Sequence, residues 1–159
     1  MPDLNGLLQR LHDHDVEFVL VGGFAAVVHG GTWVTRDLDI CCRFTEKNLL
    51  RIQAAAADLH PVHRMRPDLP LELTPEICAT LKNLYLKTDI GPLDCLGEVK
   101  GVGNFEEVWK HSVVAEFPFG ECRVLDLDTL IKAKQAMNRE HDIFTVKQLL
   151  AVKDRRSQS

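Results

Sequence analysis

The stretch Val16–Phe44, VEFVLVGGFAAVVHGGTWVTRDLDICCRF, decides how this chain folds. It opens on an apolar run, Phe18-Val19-Leu20-Val21, which reads as a buried strand and then turns at Gly22-Gly23. Paired glycines let a backbone bend sharply and approach a ligand where a Cβ would stand in the way. Ala25 to Val28 suits a short helix packed on the sheet and stopped by Gly30-Gly31. Asp37-Leu38-Asp39-Ile40 follows. On a strand, a period of two puts both carboxylates on one face and both aliphatic side chains on the other. Neighbouring carboxylates repel and raise each other's pKa unless a cation neutralises them, so a metal site is the economical explanation. A solvated strand end is the plain alternative for an Asp-x-Asp taken alone.

On either side of this block the pattern continues as alternating helices and strands. Leu4, Leu7, Leu8 and Leu11 form one stripe of an amphipathic helix that ends near His14-Asp15. Leu38 to Cys42 reads as a strand, and Thr45 as the N-cap of a helix running through Leu59. Pro61, Pro67 and Pro70 exclude a long regular element between His60 and Leu73 and mark an irregular or edge segment. Pro75 opens either a short helix or a loop. Leu84–Ile90 and Leu93–Val99 read as a hairpin about Gly91-Pro92, and Val113–Phe117 with Cys122–Leu125 as a second pair. Asp126 or Asp128 caps a helix reaching Met137, and a last helix passes through Phe144, Val146, Leu149 and Leu150. No repeat, low-complexity tract or linker divides the chain. The expectation is one domain over residues 1–159, with a core from about 16 to 125 and C-terminal helices from about 126 to 152. Its fold class is α/β (α+β): a small mixed sheet flanked by helices, with the C-terminal helical segment closing one side of a cleft.

Composition narrows the function. At 159 residues with 45% hydrophobic and 26% charged residues, the chain has the balance of a globular domain with a real core. A net charge of −4 argues against an extended nucleic-acid-coating surface. Lys153, Arg155 and Arg156 form a basic end that reads as a solvated, frayed C-terminus. The five cysteines include no Cys-x-x-Cys pair, so they suggest buried reduced thiols rather than a zinc site or a disulfide framework. The first residues, Met1-Pro2-Asp3-Leu4, show no secretory pattern, and no apolar run is long enough to span a bilayer. A cytoplasmic protein is the expectation.

Gly22-Gly23, thirteen intervening residues and Asp37-Leu38-Asp39-Ile40 together resemble the signature of the DNA polymerase β-like nucleotidyltransferase superfamily. The likeness extends over most of the chain and is closest to small bacterial single-domain members, including nucleotidyltransferase-like toxins of abortive-infection systems. Members carry a third carboxylate on a later strand, and Asp94 in Gly91-Pro92-Leu93-Asp94-Cys95-Leu96 stands where it would fall. The resemblance implies that Asp37, Asp39 and Asp94 are catalytic and hold Mg2+ or Mn2+. It also implies that Gly22 and Gly23 present backbone N–H groups to the phosphates, aided by the dipole of the helix that follows. A tight strand-to-helix turn selects the same two glycines, and both roles are compatible. Thr35 occupies a position where relatives carry Thr or Ser. The arginine found slightly earlier in relatives is replaced here by Trp33 or Val34, which leaves Arg36 as a phosphate contact or a surface residue. Lys134 and Arg139 are the candidate cations for triphosphate or acceptor; the alternative for each is a solvated helix face. Asp142 pairs with one of them, and His29 reads as a capping or packing residue.

The implied activity is transfer of a nucleoside monophosphate from a nucleoside triphosphate to a hydroxyl, in RNA, in protein or in a small molecule. The rival reading is a catalytically idle nucleotide-binding or regulatory protein, such as one component of a toxin–antitoxin pair. A chain of this length lacks the added domains that build much of the acceptor site in polymerases and antibiotic-modifying members. A homodimer or hetero-complex would then supply it. No membrane partner is expected.

Overall fold

The structure, a computed structural model, describes residues 2–32 and 34–158. Helix α1 (Leu4–Asp13) buries Leu4, Leu7, Leu8 and Leu11, and Asp3 Oδ1 accepts from Gly6 N at 2.9 Å to cap it. Strand β1 (Phe18–Val21) is buried at every position and runs straight into α2 (Gly22–Val28). The helix begins at Gly22 itself and not at Ala25, so the glycines form its first turn. Strand β2 spans Leu38–Cys42 as the alternation requires, and α3 spans Glu46–Ala56, with Thr45 Oγ1 accepting from Asn48 N at 3.2 Å. A 3-10 turn, Ala57–Leu59, finishes that helix.

The proline-rich segment forms two short strands, β3 (Val62–His63) and β4 (Arg66–Pro70), with β4 exposed along its whole length. Proline lacks the N–H a central strand must donate, so this segment belongs at the sheet margin. Pro75 does open a helix, α4 (Pro75–Cys78), capped by Thr74. Strands β5 (Asn83–Thr88) and β6 (Gly91–Leu96) make the first expected hairpin. The chain then departs from the expected reading. Glu98–Val99 leaves the hairpin as β7 and pairs with β8 (Gly103–Asn104), and α5 (Phe105–Lys110) follows. The Asn104-x-x-Glu107 spacing is a helix-start pattern, and Asn104 Oδ1 does accept from Glu107 N at 3.1 Å.

Strands β9 (Ser112–Phe117) and β10 (Gly120–Leu125) pair antiparallel, and α6 (Leu127–Met137) and α7 (Glu140–Ser157) complete the chain. Asp126, not Asp128, caps α6 through a 2.7 Å bond from Thr129 N. The basic C-terminus is not frayed. Helix α7 continues to Ser157, Lys153 pairs with Asp128 at 2.7 Å, and Arg156 donates to the carbonyl oxygen of His29 at 3.1 Å.

One mixed sheet runs β4-β3-β5-β6-β2-β1-β10-β9. Only β1–β10 and β2–β6 are parallel. Leu20, Leu38, Ile40, Cys95 and Val124 lie in its fully shielded centre. Helix α2 packs on β1, β2 and α6, and α6 packs on α7. All five cysteines are buried and unpaired, as their spacing implies. No described helix is long and apolar enough to cross a membrane.

Candidate active site

The site is set by strand register. Asp39 on β2 lies opposite Val21 on antiparallel β1 and beside Asp94 on parallel β6, and Asp94 lies opposite Tyr85 on β5. Register neighbours project to the same face, so the carboxylates of Asp39 and Asp94 share a face of the sheet. Leu93 and Cys95, which alternate with Asp94, are buried in the core. Asp37 precedes β2 and lines the same cleft of about 260 Å3, together with Gly22, Lys100, Lys134 and Arg139.

Gly22 is needed here for two reasons. Its φ is +71°, and a Cβ on it would collide with the carboxylate of Asp39. The close approach in this structure is that of a side chain of the site itself, Asp39. Gly23 and Thr35 do not line the cleft. The Thr35 hydroxyl donates to the carbonyl oxygen of Asp37 at 3.3 Å, which ties the loop before β2. Val34 is exposed, Arg36 is exposed, and Trp33 lies outside the described residues.

The cations come from α6, from the α6–α7 junction and from the β3–β4 turn. Lys134 is buried on α6, its Nζ 3.7 Å from Asp142 Oδ1. Burial lowers its pKa, against the pull of Asp142 and Asp39. Arg139 donates through Nε to Asp142 Oδ2 at 2.6 Å and through Nη2 to Oδ1 at 3.2 Å, and its backbone N–H reaches the same Oδ2. Asp142, fully shielded, therefore holds both cations at the mouth of the cleft. Burial alone would raise its pKa; the hydrogen bonds from Arg139 hold it below the usual carboxylate range. His29 is confirmed in a packing role: its Nε2 lies 2.7 Å from the carbonyl oxygen of Leu125.

Two cationic residues escaped the sequence reading. Lys100 sits in the β7–β8 turn, which carried no strand signal. Arg64, thirty residues before Asp94, places Nη1 at 2.8 Å from Asp94 Oδ1 and 3.1 Å from Oδ2. Only the longer contact has hydrogen-bond geometry, so the buried Oδ1 is in ion contact yet receives no hydrogen bond.

Electrostatically the carboxylates are in conflict. The Asp39 carboxyl is pushed up to about 7, first by burial and then by the charges of Asp94 and Asp37, with Lys134 opposing. Burial also raises Asp94, against the attraction of Arg64. An all-oxygen donor set of this kind suits a hard divalent cation such as Mg2+ or Mn2+. Among the described residues, no three His, Cys, Asp or Glu side chains converge as a ready-made metal cage. Asp37 and Asp39 offer carboxylate oxygens of the right chemistry to the cleft, while Asp94 is engaged by Arg64.

No family model matches the sequence, and no curated protein matches it significantly. Solved structures do resemble it. The lincomycin-bound lincosamide antibiotic adenylyltransferase LnuA superposes with a TM-score of 0.62 at 16% identity, over 91% of this chain and 92% of that one. TM1012 from Thermotoga maritima, provisionally described as a nucleotidyltransferase, superposes with a TM-score of 0.57 at 18% identity, over 93% of this chain and 90% of that one. At such identities the likeness is one of architecture, and it matches the fold implied by the Gly-Gly and Asp-x-Asp block. The chain is built on the nucleotidyltransferase fold.

Proposed function

We propose that this protein is a magnesium-dependent nucleotidyltransferase that moves a nucleoside monophosphate from a nucleoside triphosphate to a hydroxyl acceptor. The observation that carries this reading is the register pairing of Asp39 with Asp94, on one face and in a cleft with Asp37, Lys134 and Arg139. The likeness to an antibiotic adenylyltransferase supports it.

Asp37 and Asp39 would hold the nucleotide-associated ion and bridge to a second, whose site Asp94 would complete. A bound divalent cation supplies neutralisation of charge at the α-phosphate and on the departing pyrophosphate. Lys134 and Arg139 bind the triphosphate oxygens, and the N–H group of Gly22, which lines the same cleft, binds the same anion. Asp94 accepts the proton of the acceptor hydroxyl as its oxygen attacks the α-phosphorus. The bond from that phosphorus to the β-phosphate oxygen breaks, and pyrophosphate leaves. LnuA, solved with lincomycin bound, is matched over 92% of its own chain, which supports a small molecule among the acceptor classes. RNA, protein and small hydroxylated molecules are the substrate classes to assay.

A second reading, an idle nucleotide-binding or regulatory protein, is favoured by the Arg64 contact with Asp94. One experiment separates the two: transfer of label from each of the four α-labelled nucleoside triphosphates, with magnesium, to RNA, protein and small-molecule pools. Transfer that disappears in Asp39→Asn supports catalysis. Nucleotide binding without transfer to any pool supports the second reading.

A further inference from the structure

Arg64 reaches the third carboxylate from outside the cleft. It lies in the turn between β3 and β4, and its backbone N–H donates to the carbonyl oxygen of Tyr85 at 3.0 Å. Tyr85 is the register neighbour of Asp94, so this turn delivers the guanidinium to the same face of the sheet. One nitrogen, Nη1, straddles both oxygens of Asp94. The parallel two-bond fork that makes arginine–carboxylate pairs strong is absent. Asp94 is 9% exposed, and its Oδ1 is left without a hydrogen bond. The contact neutralises the carboxylate without satisfying it.

Arg64 is also free to leave. Its side chain is 33% exposed, and the short strands that carry it stand next to the exposed sheet margin. Its Cζ lies 5.2 Å from the centroid of the exposed Tyr85 ring, so the guanidinium already packs on Tyr85 while it engages Asp94. A divalent ion on an oxygen of Asp94 would stand about 2.1 Å from it. A guanidinium nitrogen at 2.8 Å from the same oxygen would stand against that ion, and the repulsion between the two cations favours its departure.

Resting on the nucleotidyl-transfer reading above, we propose that Arg64 is an exchangeable counter-ion for Asp94. It holds the third carboxylate in the metal-free protein and swings out along Tyr85 when a divalent ion takes its place. Uptake of metal is then ordered. The ion at Asp37 and Asp39 enters without hindrance, and the ion that uses Asp94 must displace Arg64.

Mn2+ binding, followed by loss of the free-ion electron paramagnetic resonance signal with a non-hydrolysable nucleoside triphosphate present, tests this without turnover. Wild type should take up one Mn2+ tightly and a second weakly. Arg64→Gln should tighten the second by on the order of tenfold and leave the first unchanged. Adding Asp94→Asn to that variant should remove the gain. Melts in EDTA check that each variant is folded, and Arg64→Ala provides the same reading should the glutamine variant misfold. A folded Arg64 variant with the wild-type isotherm overturns the proposal. Asp39→Asn with unchanged uptake of the first ion overturns the transfer site itself, so the two failures are distinguishable.

Discussion

Asp39 sits beside Asp94 with Asp37 in the same cleft, and burial with the neighbouring carboxylates pushes its carboxyl up to about 7. A folded-state pKa above the unfolded value means that the stability this group contributes is complete below about pH 4 and is lost as pH rises through about 7. Asp39→Asn removes that titration. In EDTA the variant and wild type should therefore melt together near pH 4, while the variant melts higher at pH 8. Were Asp39 a structural acceptor, the substitution would instead cost on the order of 1–3 kcal/mol at every pH. Gly22 is the companion case. Gly22→Ala forces a side chain into a positive φ and into the Asp39 carboxylate, which should cost about 1–3 kcal/mol. It should also weaken Mn2+ binding, because Asp39 must move. Unchanged thermal stability and Mn2+ affinity in Gly22→Ala would refute the close approach. The glycine pair was legible from sequence, but the group it accommodates was not, since that depends on the pairing of β1 with β2.

At the level of elements, the junction of α6 and α7 positions the cations. Asn138 adopts the left-handed conformation, φ 49°, which ends α6 and turns the chain at once into α7. Asp142 then caps the start of α7 by accepting from both the backbone N–H and the guanidinium of Arg139, and the same Asp142 faces Lys134 on α6. Asp142→Ala would leave a buried ammonium without its partner, which typically costs about 3–5 kcal/mol. The expected result is a large drop in denaturant midpoint at unchanged m-value, with weaker nucleoside triphosphate binding by calorimetry. Asp142→Asn should fall between the two. Sequence gave Asp142 as the partner of one cation; it holds both, because the turn at Asn138 brings Lys134 back over the start of α7. The elements missed altogether, β8 and α5, are two and six residues long, and the sequence reads β7 as the end of the hairpin strand. Segments that short carry too few repeats of either period to stand out from a loop.

On the scale of the whole molecule, order should be graded across the sheet. Strands β1, β2 and β6 are interior in the sheet order, and their apolar side chains are almost wholly buried, whereas β4 is an exposed edge. Amide exchange should be slowest in those three strands and fastest in β4, read by mass spectrometry of peptic peptides. Rapid exchange at Leu20 or Ile40 would contradict the register. Ligand binding should also be coupled through the cleft. The carboxylates and a triphosphate are both anionic, so each repels the other until a cation stands between them. Calorimetry should show magnesium strengthening nucleoside triphosphate binding, and the nucleotide strengthening magnesium binding by the same factor. Equal nucleotide affinity in magnesium and in EDTA would exclude a shared site.

What the sequence determined by itself was local. The leucine stripe of α1, the strand limits of β2, the cap at Thr45 and the edge character of the proline segment all follow from periodicity and backbone chemistry within a few residues. The pairing of Gly22-Gly23 with Asp37 and Asp39 was legible because both ends lie in one block, separated by a single short helix and a loop. Tertiary structure alone decided what comes from far along the chain. Asp94 stands beside Asp39 through the parallel pairing of β2 and β6, across more than fifty residues of sequence. Arg64 reaches Asp94 because β3 and β6 both pair with β5. No local pattern encodes these neighbours, since register between distant strands is fixed by which faces must be buried together and not by any residue's own propensity.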